Sequence, residues 1–288
     1  MQKITKVKFR FTTIIIVLTG ISLLVSCAGH HLGKNNSGEH KNGMVVSANH
    51  LASEVGVAIL KKGGNAVDAA VAVQFALAVV YPNAGNLGGG GFMVYRSAKG
   101  ETSTLDFREK APAGSSRDMY LDANGNPIVE KSLYGQLAAG VPGSVAGMEE
   151  AHQKYGKLKW ADLVEPAVRL AADGFKISAR QARELNGLKA RLAKLNPLGT
   201  ALLNEKAWVE NDVLTQKELS NTLTLIKEQG RKGFYEGAVA DSILAEMQRG
   251  GGIISKQDLI AYKAVWRNPV IGKYRGYDVI TMPPPSSG

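Results

Sequence analysis

"NAVDAAVAVQFALAVVYPNAGNLGGGGFMVYRSAKGETSTLDFRE", residues 65–109, decides the fold. Its first part is apolar nearly all round from Ala69 to Val80, with Asn65 as a candidate N-cap and Asp68 in the first turn. A helix without a polar face is buried between layers. Asp68 and Gln74 interrupt the run and Pro82 ends it, so it reads as a core helix and not a membrane span. Residues 91–97 and 102–109 then read as two strands joined by a hairpin at 98–101. Strands adjacent in the chain break strict βαβ alternation, which favours an α+β layered architecture over a doubly wound sheet. In the second strand Leu105 and Phe107 point one way, and Asp106 and Arg108 the other.

The flanks agree. Residues 44–47 read as a short strand, followed by a helix at 49–62 with Gly63-Gly64 as its stop. Residues 159–175 have helical spacing and a Gly174 stop. Residues 215–230 open on a capping box, Thr215 to Glu218, and close on Gly230. Residues 237–252 form another amphipathic helix with a glycine stop, and 269–288 alternate as a strand pair running into three prolines.

Five glycines lie within seven residues, Gly85 to Gly91. A dinucleotide loop needs G-x-G-x-x-G between a strand and a helix, and a P-loop needs Gly-Lys-Ser/Thr at its end. The spacing here fits neither, Phe92 follows Gly91, and the segment leaves a helix to enter a strand. The remaining reading is a backbone passage that tolerates φ > 0 and close approach. Ser144 in "GVPGSVAG" is no nucleophile elbow, because Pro142 stands where glycine is required. His152 lies on the same predicted helix, and nothing else pairs it with Ser144. Arg108 presents a permanently charged planar fork that grips carboxylates through parallel hydrogen bonds. Asp106 on the same face is the competing, purely structural partner.

The N-terminus reads as an export signal at 1–26. Lys3, Lys6, Lys8 and Arg10 precede an apolar run at 11–25, too short to span a bilayer as a relaxed helix. Leu24-Val25-Ser26-Cys27 resembles a bacterial lipobox, with Cys27 lipidated after cleavage and 27–43 serving as lipidated residue and flexible tether. Cys27 is the single cysteine, so no intrachain disulfide forms. His30, His31 and His40 read as solvated tether residues; no metal site or cofactor is expected. Of the net charge of +10, residues 1–43 carry half and the 44–288 body the rest. Lys and Arg are scattered there among acids, without an arginine-rich run, which argues against nucleic acid. Anionic surfaces and small acidic substrates stay open.

"GGNAVDAAVA", "AGNLGGGGFM", "DFREKAP", "GVPGSVAG" and "YKAVWRNPVIGKYRGYDVITMPPPSSG" together resemble, in this order, the large-subunit region of γ-glutamyltranspeptidases, over 43–288. The resemblance implies the αββα four-layer sandwich of N-terminal-nucleophile hydrolases, here its large-subunit half. It implies a precursor that cuts itself, and a small subunit whose new N-terminal threonine takes the γ-glutamyl group from glutathione or a related amide. Water or an amino acid then accepts that group. It also implies that Arg108, in D-F-R-E, holds the substrate's α-carboxylate. The family's chain continues past "PPPSSG" into the small subunit, and no threonine of 1–288 matches the nucleophile motif. No catalytic residue is therefore expected within 1–288. The chain by itself is expected to be inactive, as a truncated, fragmentary or split form, with unpaired strand edges. The competing expectation is a non-catalytic surface lipoprotein, or decayed gene product, that retains a γ-glutamyl-binding half-site. Either form is expected in the cell envelope, held to the membrane through its lipid alone.

Overall fold

The computed structural model describes residues 42–287. The signal at 1–26, Cys27, and the tether with its three histidines lie outside the described residues. From Val45 onward the chain forms one compact unit.

Two helices open it: α1 (His50–Lys61) and α2 (Ala66–Val80). Asn65 caps α2 as expected, its side chain accepting from the N–H groups of Val67 (2.9 Å) and Asp68 (3.0 Å). Asp68 returns the bond by accepting from the Asn65 N–H at 2.9 Å, which closes a capping box. Asp68 is fully buried and also accepts from the Lys157 N–H at 2.9 Å, tying the start of α2 to a distant turn. Eleven of the helix's fifteen residues are buried, so α2 is the axis of the core.

After the glycine run come β1 (Phe92–Arg96) and β2 (Thr102–Asp106), the expected hairpin. A short helix α3 (Val129–Leu133) and a 3₁₀ turn at Gln136–Ala138 lead to α4 (Ser144–Tyr155) and α5 (Trp160–Asp173). There follow β3 (Phe175–Lys176), α6 (Ala179–Leu195), β4 (Val213–Leu214) and α7 (Lys217–Gln229). The chain continues through α8 (Lys232–Tyr235), α9 (Gly237–Gly250) and α10 (Lys256–Ala261). It ends its regular structure with β5 (Val265–Arg267), β6 (Val270–Tyr274) and β7 (Tyr277–Thr281).

The main sheet is antiparallel in the order β1-β2-β5, with Leu105 opposite Met93 on one side and Trp266 on the other. Behind it α4 packs on β2 and against α2, α2 packs on α5, and α5 on α7. Leu105 and Phe107 enter that core at 0% and 5% exposure, while Asp106 turns to the other face, as the alternation requires.

Three expectations are corrected. Residues 44–47 form no ladder; Val45 packs on the core while Val46 is exposed, so the alternation is present, but no strand among the described residues pairs with it. The Thr215–Glu218 capping box does not form, because α7 starts one residue later, with Gln216 at its N-cap. Tertiary bonds fix that backbone instead: the Gln216 N–H donates to the Ala171 carbonyl at 2.9 Å, and its side-chain amide to the Val79 carbonyl at 2.8 Å. Lastly, β2 stops at Asp106, leaving Arg108 on the segment beyond the strand.

The β6–β7 ribbon pairs only with itself among the described residues. Val270, Ile271, Tyr274 and Tyr277 on it are 50–76% exposed, a concentration of apolar surface that asks for a covering partner.

Candidate functional site

The segment from Phe107 to Lys110 leaves β2 and runs between two other stretches of backbone. On one side the Gly91 and Phe107 N–H groups exchange bonds with each other's carbonyls, at 3.3 and 3.0 Å. On the other, Lys110 and Val141 do the same at 3.2 and 2.8 Å. The Gly89 carbonyl closes the third side by accepting from the N–H groups of Gly143 (2.7 Å) and Ser144 (3.0 Å).

This explains the glycines. A Cβ on Gly90 would lie 2.5 Å from the Phe107 carbonyl oxygen and 2.9 Å from Arg108 Cα. On Gly91 it would meet the Phe107 ring at 2.8 Å, and on Gly147 of α4 the same ring at 2.2 Å. None of the five glycines from Gly85 to Gly91 has a left-handed φ, so the need is for close approach and not for unusual dihedrals.

Arg108 stands exposed at the rim of this passage. Asp106, its expected competitor for a structural ion pair, is taken by Arg267 of β5, whose Nε donates to Asp106 Oδ2 at 2.9 Å. The other Asp106 oxygen accepts from the Arg108 backbone N–H at 3.1 Å. Asp106 therefore holds the Arg108 backbone and leaves its guanidinium alone. That guanidinium donates through Nη1 to the Pro285 carbonyl at 3.1 Å and forms no ion pair among the described residues. A charged fork satisfied at one corner by a neutral carbonyl keeps donors for a carboxylate, which is the stronger acceptor.

Ser144 and His152 form no catalytic pair. Ser144 is buried at the start of α4 and donates to Asn86 Oδ1 at 3.4 Å. His152 Nε2 bonds to the Leu158 carbonyl at 2.8 Å. The start of α4 is no open anion site either, since the Gly89 carbonyl already occupies its first N–H groups.

Residue patterns alone gave no role to Arg267, Tyr262 or Pro285, which lie 154 to 177 positions from their partners in this segment. The available signal for Arg267 was a carboxylate flanked by Leu105 and Phe107, which needs a cation once buried.

Residues 52–288 match the profile of the gamma-glutamyltranspeptidase family. The chain is 50% identical over 254 residues to the glutathione hydrolase proenzyme of Escherichia coli K12, an alignment covering 86% of this chain and 43% of that protein. It thus spans less than half the length of that relative. Among solved structures, the γ-glutamyltranspeptidase of Helicobacter pylori superposes with a TM-score of 0.82 at 49% identity, covering 85% of this chain and 71% of that one. The γ-glutamyltranspeptidase of Pseudomonas nitroreducens, in complex with L-DON, gives 0.80 at 42% identity, covering 85% and 72%. The α+β arrangement is accordingly that of N-terminal-nucleophile hydrolases.

Proposed function

The chain belongs to the gamma-glutamyltranspeptidase family, and on that premise we propose that it forms the carboxylate-gripping half of an exported enzyme that hydrolyses and transfers γ-glutamyl groups. The donor class is glutathione and related γ-glutamyl amides; the acceptors are water or an amino acid. The observation that carries this reading is the Arg108 guanidinium, fixed at its backbone, unpaired with any carboxylate among the described residues, and exposed at a tight loop.

The nucleophile in this proposal is the N-terminal threonine of a small subunit cut from the same precursor. Its hydroxyl oxygen attacks the γ-carbonyl carbon while its own α-amine takes the hydroxyl proton. The C–N bond breaks, the proton passes to the departing amine, and a γ-glutamyl ester remains. Water or an amino acid attacks that ester, releasing glutamate or a γ-glutamyl product and returning the threonine. Arg108 keeps the donor's α-carboxylate in place through both steps, and no cofactor takes part. The exposed apolar ribbon β6–β7 supports the need for a covering subunit.

The test is incubation of the full-length protein with glutathione, following cysteinylglycine release and formation of γ-glutamyl dipeptides. Release that tracks precursor cleavage is the expected result. A cleaved, folded protein without turnover of any γ-glutamyl amide would overturn the proposal.

Lipidation at Cys27 and an envelope location form part of the same proposal. Cys27→Ser should abolish fatty-acid labelling and shift the protein from the membrane to the soluble fraction. Labelling that survives the substitution would sink the anchor.

A further inference from the structure

We propose that Tyr262 is a positioning residue that sets where Arg108 presents its guanidinium to the donor; this rests on the reading that Arg108 grips the α-carboxylate.

Arg108 sits past the end of β2, so no sheet ladder fixes its backbone. Side chains satisfy both of its polar main-chain groups. Asp106 Oδ1 accepts from its N–H at 3.1 Å, and the Tyr262 hydroxyl donates to its carbonyl at 2.7 Å. Gly143 keeps the space for that hydroxyl: a Cβ there would lie 2.2 Å from the Tyr262 oxygen.

Tyr262 is itself held from every side. It is 3% exposed, and its ring lies parallel to that of Tyr235, 3° apart with centroids at 6.0 Å. The Lys110 ammonium stands 5.0 Å above the ring. Its backbone carbonyl accepts from Arg231 Nη2 at 2.8 Å, and Arg231 is anchored by its own N–H to Glu149 Oε1 at 2.9 Å. A buried, stacked tyrosine is a rigid post, and a hydrogen bond from it fixes the carbonyl of the residue whose side chain must aim. Burial, with Asp106 and Glu109 nearby, raises the hydroxyl above the ordinary tyrosine range, so it remains a donor through neutral pH.

Tyr235 supplies a built-in contrast. Its hydroxyl lies in the same stack but donates to the Pro142 carbonyl at 2.8 Å and accepts from the Ala146 N–H at 3.3 Å, with no hydrogen bond to Arg108 among the described residues.

The experiment uses the processed full-length enzyme carrying Tyr262→Phe, Tyr235→Phe, Arg108→Ala, or Tyr262→Phe with Arg108→Ala. Loss of one hydrogen bond predicts a KM for the γ-glutamyl donor about five- to tenfold higher in Tyr262→Phe, with kcat within about twofold. Inhibition by glutamate should weaken by the same factor, and inhibition by γ-aminobutyrate, which lacks the α-carboxylate, should not. Adding Tyr262→Phe to Arg108→Ala should change KM no further. Tyr235→Phe should lower Tm without moving KM. If Arg108→Ala raises KM and Tyr262→Phe does not, the positioning role is overturned while the Arg108 reading stands. An Arg108→Ala enzyme with unchanged KM overturns both. Equal weakening of both inhibitors, or a Tyr235→Phe enzyme with the KM of Tyr262→Phe, also overturns the role, since generic loosening of the stack then accounts for the effect.

Discussion

Arg108→Ala in the processed enzyme should raise KM for a γ-glutamyl donor by roughly 30- to 150-fold, with precursor cleavage and Tm nearly unchanged. The magnitude follows from removing charge-assisted hydrogen bonds worth about 2–3 kcal/mol, at about 1.4 kcal/mol per tenfold. The structure argues that fold and binding separate here. The guanidinium's one described bond is to the neutral Pro285 carbonyl, and the buried carboxylate beneath it belongs to Arg267. Removing the side chain therefore leaves no buried charge without a partner, the event that makes arginine deletions costly to folding. Arg108→Lys keeps the charge and loses the planar fork, so it should recover part of the binding and not all. Because Arg108 is exposed, added salt should narrow the gap between wild type and variant. Steady-state kinetics on the three proteins at two ionic strengths decides it. An unchanged KM in Arg108→Ala would remove the assigned role.

The same residues show what was legible in sequence. The core helix and the hairpin were readable from local pattern: α2 has no polar stripe and ends at a turn, and polar and apolar residues alternate from Thr104 to Phe107, although both faces of that stretch are buried. The Asn65–Asp68 capping box was readable because both partners lie within one helical turn. Where a distant group decides, local pattern pointed elsewhere. Asp106 looked like a partner for its neighbour Arg108 and pairs instead with Arg267 from β5, a strand the pattern did not reveal. Thr215 and Glu218 had the spacing of a capping box, but the bond between Gln216 and Val79 fixes the chain on α2 and moves the helix start. Residues 44–47 had the alternation of a strand, and a ladder needs a neighbour that sequence alone does not supply. The role proposed for Arg108 rests on family resemblance; the structure adds the reason its guanidinium is available.

Gly90→Ala against Gly88→Ala turns the glycine run into a measurement. Where the native φ suits any residue, Gly→Ala stabilises by about 0.4–1 kcal/mol, because the unfolded chain loses freedom. Neither glycine has a left-handed φ, so backbone dihedrals do not separate them. Space does. An added Cβ at Gly88 meets nothing within 4 Å, whereas at Gly90 it comes to 2.5 Å from the Phe107 carbonyl oxygen and 2.8 Å from the Glu109 nitrogen. Both contacts are main chain, so no rotamer change relieves them and the Phe107–Glu109 segment must shift. Overpacking of this kind costs about 1–3 kcal/mol. At about 2–4 °C per kcal/mol for a body of this size, Gly90→Ala should lower Tm by several degrees. Gly88→Ala should leave it unchanged or slightly raised. The displaced segment carries Arg108, so Gly90→Ala should also raise KM for the donor in the enzyme that remains folded, and Gly88→Ala should not. Equal Tm values for the two variants would mean that the passage is not tight. A Tm loss in Gly90→Ala without a KM change would mean that the glycines shape the core and have no part in aiming Arg108.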